Sequence, residues 1–302
     1  MPTIYAIGET IYDIIFSNNE PVAAKAGGAM LNTTVSLGRL GLPVEFVSEL
    51  GDDPAGNIIS SFLNHNGVSI DLAYRYAGKT IIALAFLQEN NDARYSFYKP
   101  EPDTRLQIEL PAFEASDIVL FGAFYSLTEG IRRQLIEFVE MARDAGALIV
   151  YDPNIRSPHK NEIESLRELI YENFSLSDIV RGSDEDFMTM FDIRDGNRAY
   201  EMTASYGCKY LVYTKSNIGV EIYSPDGMTE VPVPSVATRS TIGAGDSFNA
   251  GLIYELYQSG LKPGQMQSYE LRKMVKTAVS FGSHVCTHYD NYISEEFAEK
   301  MK

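Results

Sequence analysis

Short apolar runs of strand length alternate along most of the chain with longer stretches in which apolar residues recur every three or four positions. Continuous short runs predict strands buried on both faces, and the periodic stretches predict helices laid over them. The predicted strands are Ile4 to Gly8, Val44 to Val47, Ile118 to Phe121, Leu148 to Tyr151, Ile179 to Arg181 and Tyr210 to Thr214. Helical patterning covers Met30 to Leu40, a segment opened by Asp53-Pro54 and stopped at Gly67, and Thr128 to Ala145. It returns at Asn161 to Asn173, Gly196 to Tyr206, Ala244 to Gln258 and Ser268 to His288. The alternation predicts an α/β fold with a mostly parallel central sheet.

Two regions break the alternation. Thr10 to Pro21 and Ala73 to Phe97 are strand-like with no helix between their strands, and the second holds three short runs separated by Gly78-Lys79 and Asn90-Asn91-Asp92. Antiparallel strands that leave a main sheet in this way tend to form a small sheet over one of its ends, here a lid. The expected organisation is a single domain over 1–302, with lid strands inserted at about 10–21 and 73–100. Repeats, low-complexity tracts and long linkers are absent from the sequence.

Charge narrows the choice of ligand. Lys plus Arg number 25 against 41 for Asp plus Glu, so the net charge is −16, which repels nucleic acid and anionic membrane surfaces. An anionic ligand must then be held by local donors or arrive with a metal. Met1-Pro2-Thr3-Ile4-Tyr5 lacks the basic and apolar regions of a secretory signal, and no apolar run reaches the ~18 residues of a membrane span, so a cytoplasmic protein is expected. Cys208 and Cys286 read as reduced packing thiols, and His65, His159, His284 and His288 show no zinc spacing.

Thr241-Ile242-Gly243-Ala244-Gly245-Asp246 runs directly into the apolar helical pattern of Phe248, Ala250, Leu252, Ile253 and Leu256. Glycines there admit close approach of a ligand, and the first amides of a helix are free donors at the positive end of its dipole. Such a mouth suits a phosphate. Asp246 would repel that phosphate if binding were its only task. Its placement makes sense if it takes the proton from a hydroxyl that attacks phosphorus. The plainer reading is a helix capped by Ser240 or Thr241 with Asp246 complementing the dipole. A dinucleotide fingerprint fares worse, because it needs a strand just before the glycines and Thr238-Arg239-Ser240-Thr241 is a polar connector. Gly78-Lys79-Thr80 is not a P-loop, since Ala73 stands where that loop needs glycine and a strand pattern follows.

Other polar clusters follow strands or open helices. Gly27-Gly28-Ala29-Met30-Leu31-Asn32 is a second glycine-rich helix entry, with Asn32 offering donors and acceptors. Asp13 lies just beyond the first strand, where open α/β sheets bind ligands and where a carboxylate can accept polyol hydroxyls. Asp152-Pro153-Asn154-Ile155-Arg156 and Ser183-Asp184-Glu185-Asp186 each follow a strand, and the latter can hold Mg²⁺ through water. Singly each reads as a turn or a helix cap. Together they place polar chemistry on one edge of one sheet.

These residues resemble the ribokinase-like sugar kinases, the PfkB carbohydrate kinase family, and within it the fructokinases. Gly243-Ala244-Gly245-Asp246 with Ser247 to Gly251 is similar to the C-terminal signature of that family. Gly27-Gly28, Asn32, Gly38-Arg39-Leu40-Gly41, Gly51-Asp52-Asp53 and Gly56 resemble its N-terminal one. The resemblance runs from Ile7 to about Ser283. It implies a three-layer α/β/α fold and ATP-dependent phosphorylation of a sugar hydroxyl, with Asp246 as base and the amides of Gly243, Ala244 and Gly245 as anion hole. It further implies that Asp13, Gly28 and Asn32 bind sugar, with Arg94 and Lys99 facing it from the lid. Asn154, Ser183, Thr214 and Gly219 would lie along ATP, Thr277 and Ala278 near adenine, and Asp186 near Mg²⁺ through water. A homodimer through the lid is the assembly the family suggests.

The chain also departs from the family. Lys99 replaces an arginine that pairs with sugar acids, so a neutral ketohexose is expected over an acid. Ser240 replaces an aspartate linked to monovalent cation binding, which leaves a potassium requirement open. Ser216 stands at a usual glycine, Asp186 at a usual glutamate, and Met30-Leu31 at smaller residues beside the sugar. A sugar-binding regulator and a dehydrogenase on a similar sheet are the alternatives from other classes.

Overall fold

The apolar runs become strands because both of their faces are covered. In a computed structural model of the chain, residues 2–87, 93–100, 102, 104–155 and 160–302 are described. Arg156, His159 and the turn Asn90-Asn91-Asp92 lie outside the described residues. The chain begins with β1 (Ile4–Ile7), β2 (Ile11–Ser17), β3 (Glu20–Gly27), α1 (Ala29–Arg39) and β4 (Val44–Gly51). Then come α2 (Pro54–His65), β5 (Val68–Ser69), β6 (Ala73–Tyr76), β7 (Ile82–Leu87) and β8 (Ala93–Tyr98). β9 (Ile118–Gly122), a 3-10 turn at Phe124–Leu127, α3 (Glu129–Asp144), β10 (Leu148–Asp152), α4 (Lys160–Leu176) and β11 (Ile179–Ser183) follow. The rest comprises α5 (Asp184–Phe191), α6 (Gly196–Ser205), β12 (Tyr210–Lys215), β13 (Gly219–Ser224), β14 (Gly227–Val231), α7 (Ala244–Ser259), α8 (Ser268–Cys286) and α9 (Glu295–Met301).

The main sheet runs in the order β14-β13-β12-β11-β10-β9-β1-β4-β5, with β6 added beside β4. From β12 to β5 every pairing is parallel, and β13 and β14 extend it as antiparallel strands. Strand order reverses direction at β1, which sits between β9 and β4, and ligands of open α/β sheets bind at the carboxyl ends beside such a reversal.

Alternate residues feed two separate cores. Ile4 and Ala6 of β1 point into one with Leu31 and Val35 of α1, Leu252 and Ile253 of α7, and Val275 and Ala278 of α8. Tyr5 and Ile7 point into the other with Leu135 and Phe138 of α3, Phe174 of α4 and Phe187 of α5. The result is a three-layer α/β/α sandwich, as the sequence implies. Both predicted thiols are free; Cys208 is buried among these layers and its thiol is pushed up to about 12 by burial. No helix among the described residues is long and apolar enough to cross a membrane.

A second sheet has the order β3-β2-β7-β8, with β2 and β7 parallel and the outer pairs antiparallel. Of the three short runs between Ala73 and Phe97, the first does not join it. β6 pairs with β4 from Ser48↔Ala73 to Gly51↔Tyr76, filling the edge that β5 leaves open after Val44 and Glu45. β3 also continues to Gly27, past the expected end at Pro21, and so leads straight into α1. The strap returning from the small sheet is anchored by buried Glu49, which accepts from Arg105 Nε at 3.0 Å, Leu106 N at 2.7 Å and Tyr125 Oη at 3.1 Å.

Candidate active site

Two helix mouths face each other at the carboxyl edge of the sheet. α1 begins at Gly28, whose φ of 125° and whose position against the Glu9 carbonyl oxygen leave no room for a Cβ. α7 begins at Gly243, whose φ of 80° and packing against the Asn291 backbone make the same demand. No side chain caps α7. The capping expected of Ser240 or Thr241 is therefore not made; Ser240 Oγ instead accepts from Ile242 N at 3.2 Å. Of the three amides expected at this mouth, that of Ala244 donates to the Thr241 carbonyl at 3.3 Å.

Asp246 lies in the first turn of α7 and is 5% exposed. Asn32 Nδ2 donates to its Oδ2 at 2.8 Å across the gap from α1, and Asn154 Nδ2 approaches Oδ1 at 3.5 Å. Thr33 Oγ1 donates to the Asp246 carbonyl at 3.0 Å, which pins the first turn of α7 to α1. Asn154 holds a φ of 43°, a left-handed backbone that asparagine tolerates and that turns its amide toward this carboxylate. Two amide donors on one carboxylate hold its orientation.

Beneath this mouth lies a buried charge pair that the sequence reading did not single out. Arg181, at 7% exposure, projects from β11 and donates from Nη1 to Asp152 Oδ1 at 3.4 Å and from Nη2 to Thr214 Oγ1 at 3.2 Å. Its guanidinium carbon is 5.3 Å from the centre of the Phe248 ring, and a Cβ on Gly245 would lie 3.2 Å from both terminal nitrogens. Asp152 is fully buried; burial pushes its carboxyl up, Arg181 opposes this, and the charge of Asp186 adds to the rise. Asn249 Nδ2 donates to Asp152 Oδ2 at 2.5 Å. Among the described residues, the buried polar atoms without partners include Asn32 Oδ1, Arg181 Nε, Ser247 Oγ and Asn249 Oδ1 here, and Tyr151 Oη and Tyr213 Oη in the other core. Such orphans are rare in packing cores and mark places with another task. The sequence signal for Arg181 was a cation closing an otherwise apolar strand.

The remaining expected residues fall into several groups. Ser183 caps α5, and both oxygens of Asp186 are engaged, Oδ2 by Ser183 N and Oγ at 2.7 Å each and Oδ1 by Ile155 N at 2.8 Å. Asp186 thus completes the capping box of α5 and ties the segment after β10 to it. Among the described residues no group of three His, Cys, Asp or Glu side chains converges. Gly219 opens β13 opposite Lys215. Thr277 Oγ1 donates to Glu255 Oε1 at 2.8 Å, and Ala278 is fully buried in the seam between α8 and α7, so its methyl is not offered to a ligand.

From the small sheet, Asp13 stands on β2 across from Lys25 on β3, with its carboxylate against Gly27. Burial raises its pKa to about 6, and the Lys25 charge opposes the rise. Lys99 reaches Glu9 at 3.4 Å and lies 5.4 Å from the Phe97 ring centre, while Arg94 is exposed on β8. Asp246, Asn32 and Asn154 are therefore brought into contact; Arg94 pairs with Phe86 across β7 and β8 and is exposed like its neighbours on β8.

The chain matches the family described as pfkB family carbohydrate kinase over residues 1–297. Probable fructokinase-4 of Arabidopsis thaliana is 28% identical over 267 residues, covering 84% of this chain and 82% of that protein. Fructokinase-1 of Oryza sativa subsp. japonica is 28% identical over 276 residues, covering 88% and 84%. Aminoimidazole riboside kinase from Salmonella enterica, complexed with aminoimidazole riboside and an ATP analogue, superposes with a TM-score of 0.85 at 22% identity, over 99% of this chain and 98% of that one. Fructokinase from Vibrio cholerae O395, bound to fructose, ADP and calcium ion, also gives a TM-score of 0.85 at 22% identity, over 98% and 96%. With one family spanning nearly its whole length and both glycine signatures seated at one sheet edge, this chain belongs to the pfkB family of carbohydrate kinases and has the ribokinase-like fold.

Proposed function

We propose that the chain transfers the γ-phosphoryl group of ATP to a primary hydroxyl of fructose or a closely related ketohexose. The observation that carries this is the Asp246 carboxylate, oriented by Asn32 and Asn154 within the first turn of a helix whose mouth no side chain caps. Asp246 accepts the proton of the attacking hydroxyl, and the amides at Gly243 and Gly245 face the charge that gathers on the transferring phosphoryl group. Asp13, Gly28 and Asn32 seat the sugar, with Lys99 at its edge. Thr214, Ser183 and Gly219 line the nucleotide side, and Thr277 marks the way toward adenine. A divalent cation supplies charge neutralisation on the nucleotide oxygens. The small sheet covers the sugar and keeps out water that would otherwise compete as acceptor. Its exposed Val22, Phe97 and Tyr98 favour a homodimer through that sheet.

The fructose assignment draws on the fructokinase relatives, and Lys99, a point charge paired with Glu9 where an arginine would grip a carboxylate, disfavours a sugar acid. A panel of fructose, other ketohexoses, 2-keto-3-deoxygluconate and ribosides, assayed for ADP release, tests it. Fructose is expected to give the highest kcat/KM; equal trace turnover on every acceptor would defeat it. Asp246→Asn, folded as judged by its melting curve, is expected to lose about 10²- to 10⁴-fold in kcat. Tight sugar binding by the parent with no ATP consumed would point to a regulator.

A further inference from the structure

Lys25 joins the two halves of the site. It faces Asp13 across the β2–β3 pair, and its ammonium donates to Asn291 Oδ1 at 2.9 Å, 266 residues away in sequence. Asn291, 4% exposed in the segment between α8 and α9, packs its backbone against Gly243 at the mouth of α7. A continuous path thus leads from Asp13 through Lys25 and Asn291 to the glycine that starts the anion hole.

Burial works against both charges. It raises the pKa of Asp13 and lowers that of Lys25, and each is partly offset by the other; Asp290, beside Asn291, also favours the charged Lys25. On the other flank of Asp13, β7 presents Ala83, which is apolar. The Lys25 ammonium makes its bond to Asn291, so its effect on Asp13 is exerted through space. A lysine needed only for packing would have no reason to place its charge between a carboxylate and a buried amide, since burying an ammonium is costly.

We propose that Lys25 is a positioning residue for both seats, keeping Asp13 ionised to receive sugar hydroxyls and, through Asn291, setting the small sheet against the mouth of α7. The inference rests on the sugar-kinase reading above. An ionised Asp13 accepts hydroxyl hydrogen bonds, so sugar affinity should be full above its pKa and fall as pH drops through about 6. Removing the Lys25 charge should move this acid limb upward.

Three variants separate charge from hydrogen bonding. Lys25→Arg keeps the charge, Lys25→Gln keeps a donor toward Asn291 without charge, and Lys25→Met keeps only the stem. Binding of D-fructose without nucleotide, measured by calorimetry as a function of pH, is expected to show the limb shifted upward by about one pH unit in K25M and K25Q and unshifted in K25R. K25M should also lose about tenfold in kcat while K25Q retains most of it. A limb in folded K25Q at the parental position overturns the charge role, and parental kcat in K25M overturns the link to Gly243. Either result leaves the sugar-kinase reading standing, because that reading is carried by turnover of the parent.

Discussion

The residues proposed to carry the chemistry are those whose side chains contradict their surroundings. Asp246 was visible in the sequence because an acid in a glycine-rich helix mouth opposes the anion that the mouth invites, and Gly28 and Asn32 because their helix entry resembles a sugar-kinase signature; alone, that entry reads as a tight turn. Arg181 and Asn291 were not visible. A cation at the end of a strand looks like the point where burial stops, and Asn291 belongs to no motif; both matter through contacts made across dozens to hundreds of residues. Arg181→Met leaves Asp152 buried beside Asn249 without its cation, and should cost about 3 kcal/mol in chemical denaturation. Adding Asp152→Asn should recover much of that stability. If Arg181 also supports the phosphate mouth through Gly245 and Thr214, the double variant stays slow with ATP; recovery of both properties would make the pair structural alone.

At the scale of elements, the parallel strands were legible because burial on both faces leaves an uninterrupted apolar run. β13 and β14 were not, since they lie at the rim and mix Glu221, Thr229 and Glu230 with their apolar residues. α5 was not drawn as a helix because it is only 8 residues long, although its opening run Ser183-Asp184-Glu185-Asp186 reads as a helix cap, which it is. β6 was assigned to the lid because sequence cannot say which open edge a short strand will fill. α7 packs closely on α8, where Gly251 abuts Ala278 backbone and the Phe281 ring at 2.7 and 3.0 Å from where a Cβ would stand. Gly251→Ala should therefore destabilise by about 1–3 kcal/mol despite its better helix propensity, as a lowered Tm. An unchanged or raised Tm would show that the two helices can separate without loss.

For the molecule as a whole, a net charge of −16 surrounds a site proposed to take a polyanionic nucleotide. Long-range repulsion should slow that encounter, so moderate salt is expected to raise kcat/KM for ATP by about twofold before specific ion effects intervene. A steady fall with salt would mean that the local field of the α7 mouth and Arg181 dominates at a distance. The class of the fold and its layered core were readable from periodicity; the joining of its two ends was not, because periodicity is a local property and the Lys25–Asn291 and Asn32–Asp246 bonds are not local.

The Asn32–Asp246 bond spans 214 residues, and α1 rests against α7 through the same core. On a ribosome adding about 5–20 residues per second, α1 waits on the order of ten to forty seconds for the helix that covers it. Until then Leu31 and Val35 have no α7 to bury them. The nascent chain is thus most vulnerable to sticking to its neighbours in the interval between these two helices, and the proposed catalytic centre cannot assemble before α7 has been made.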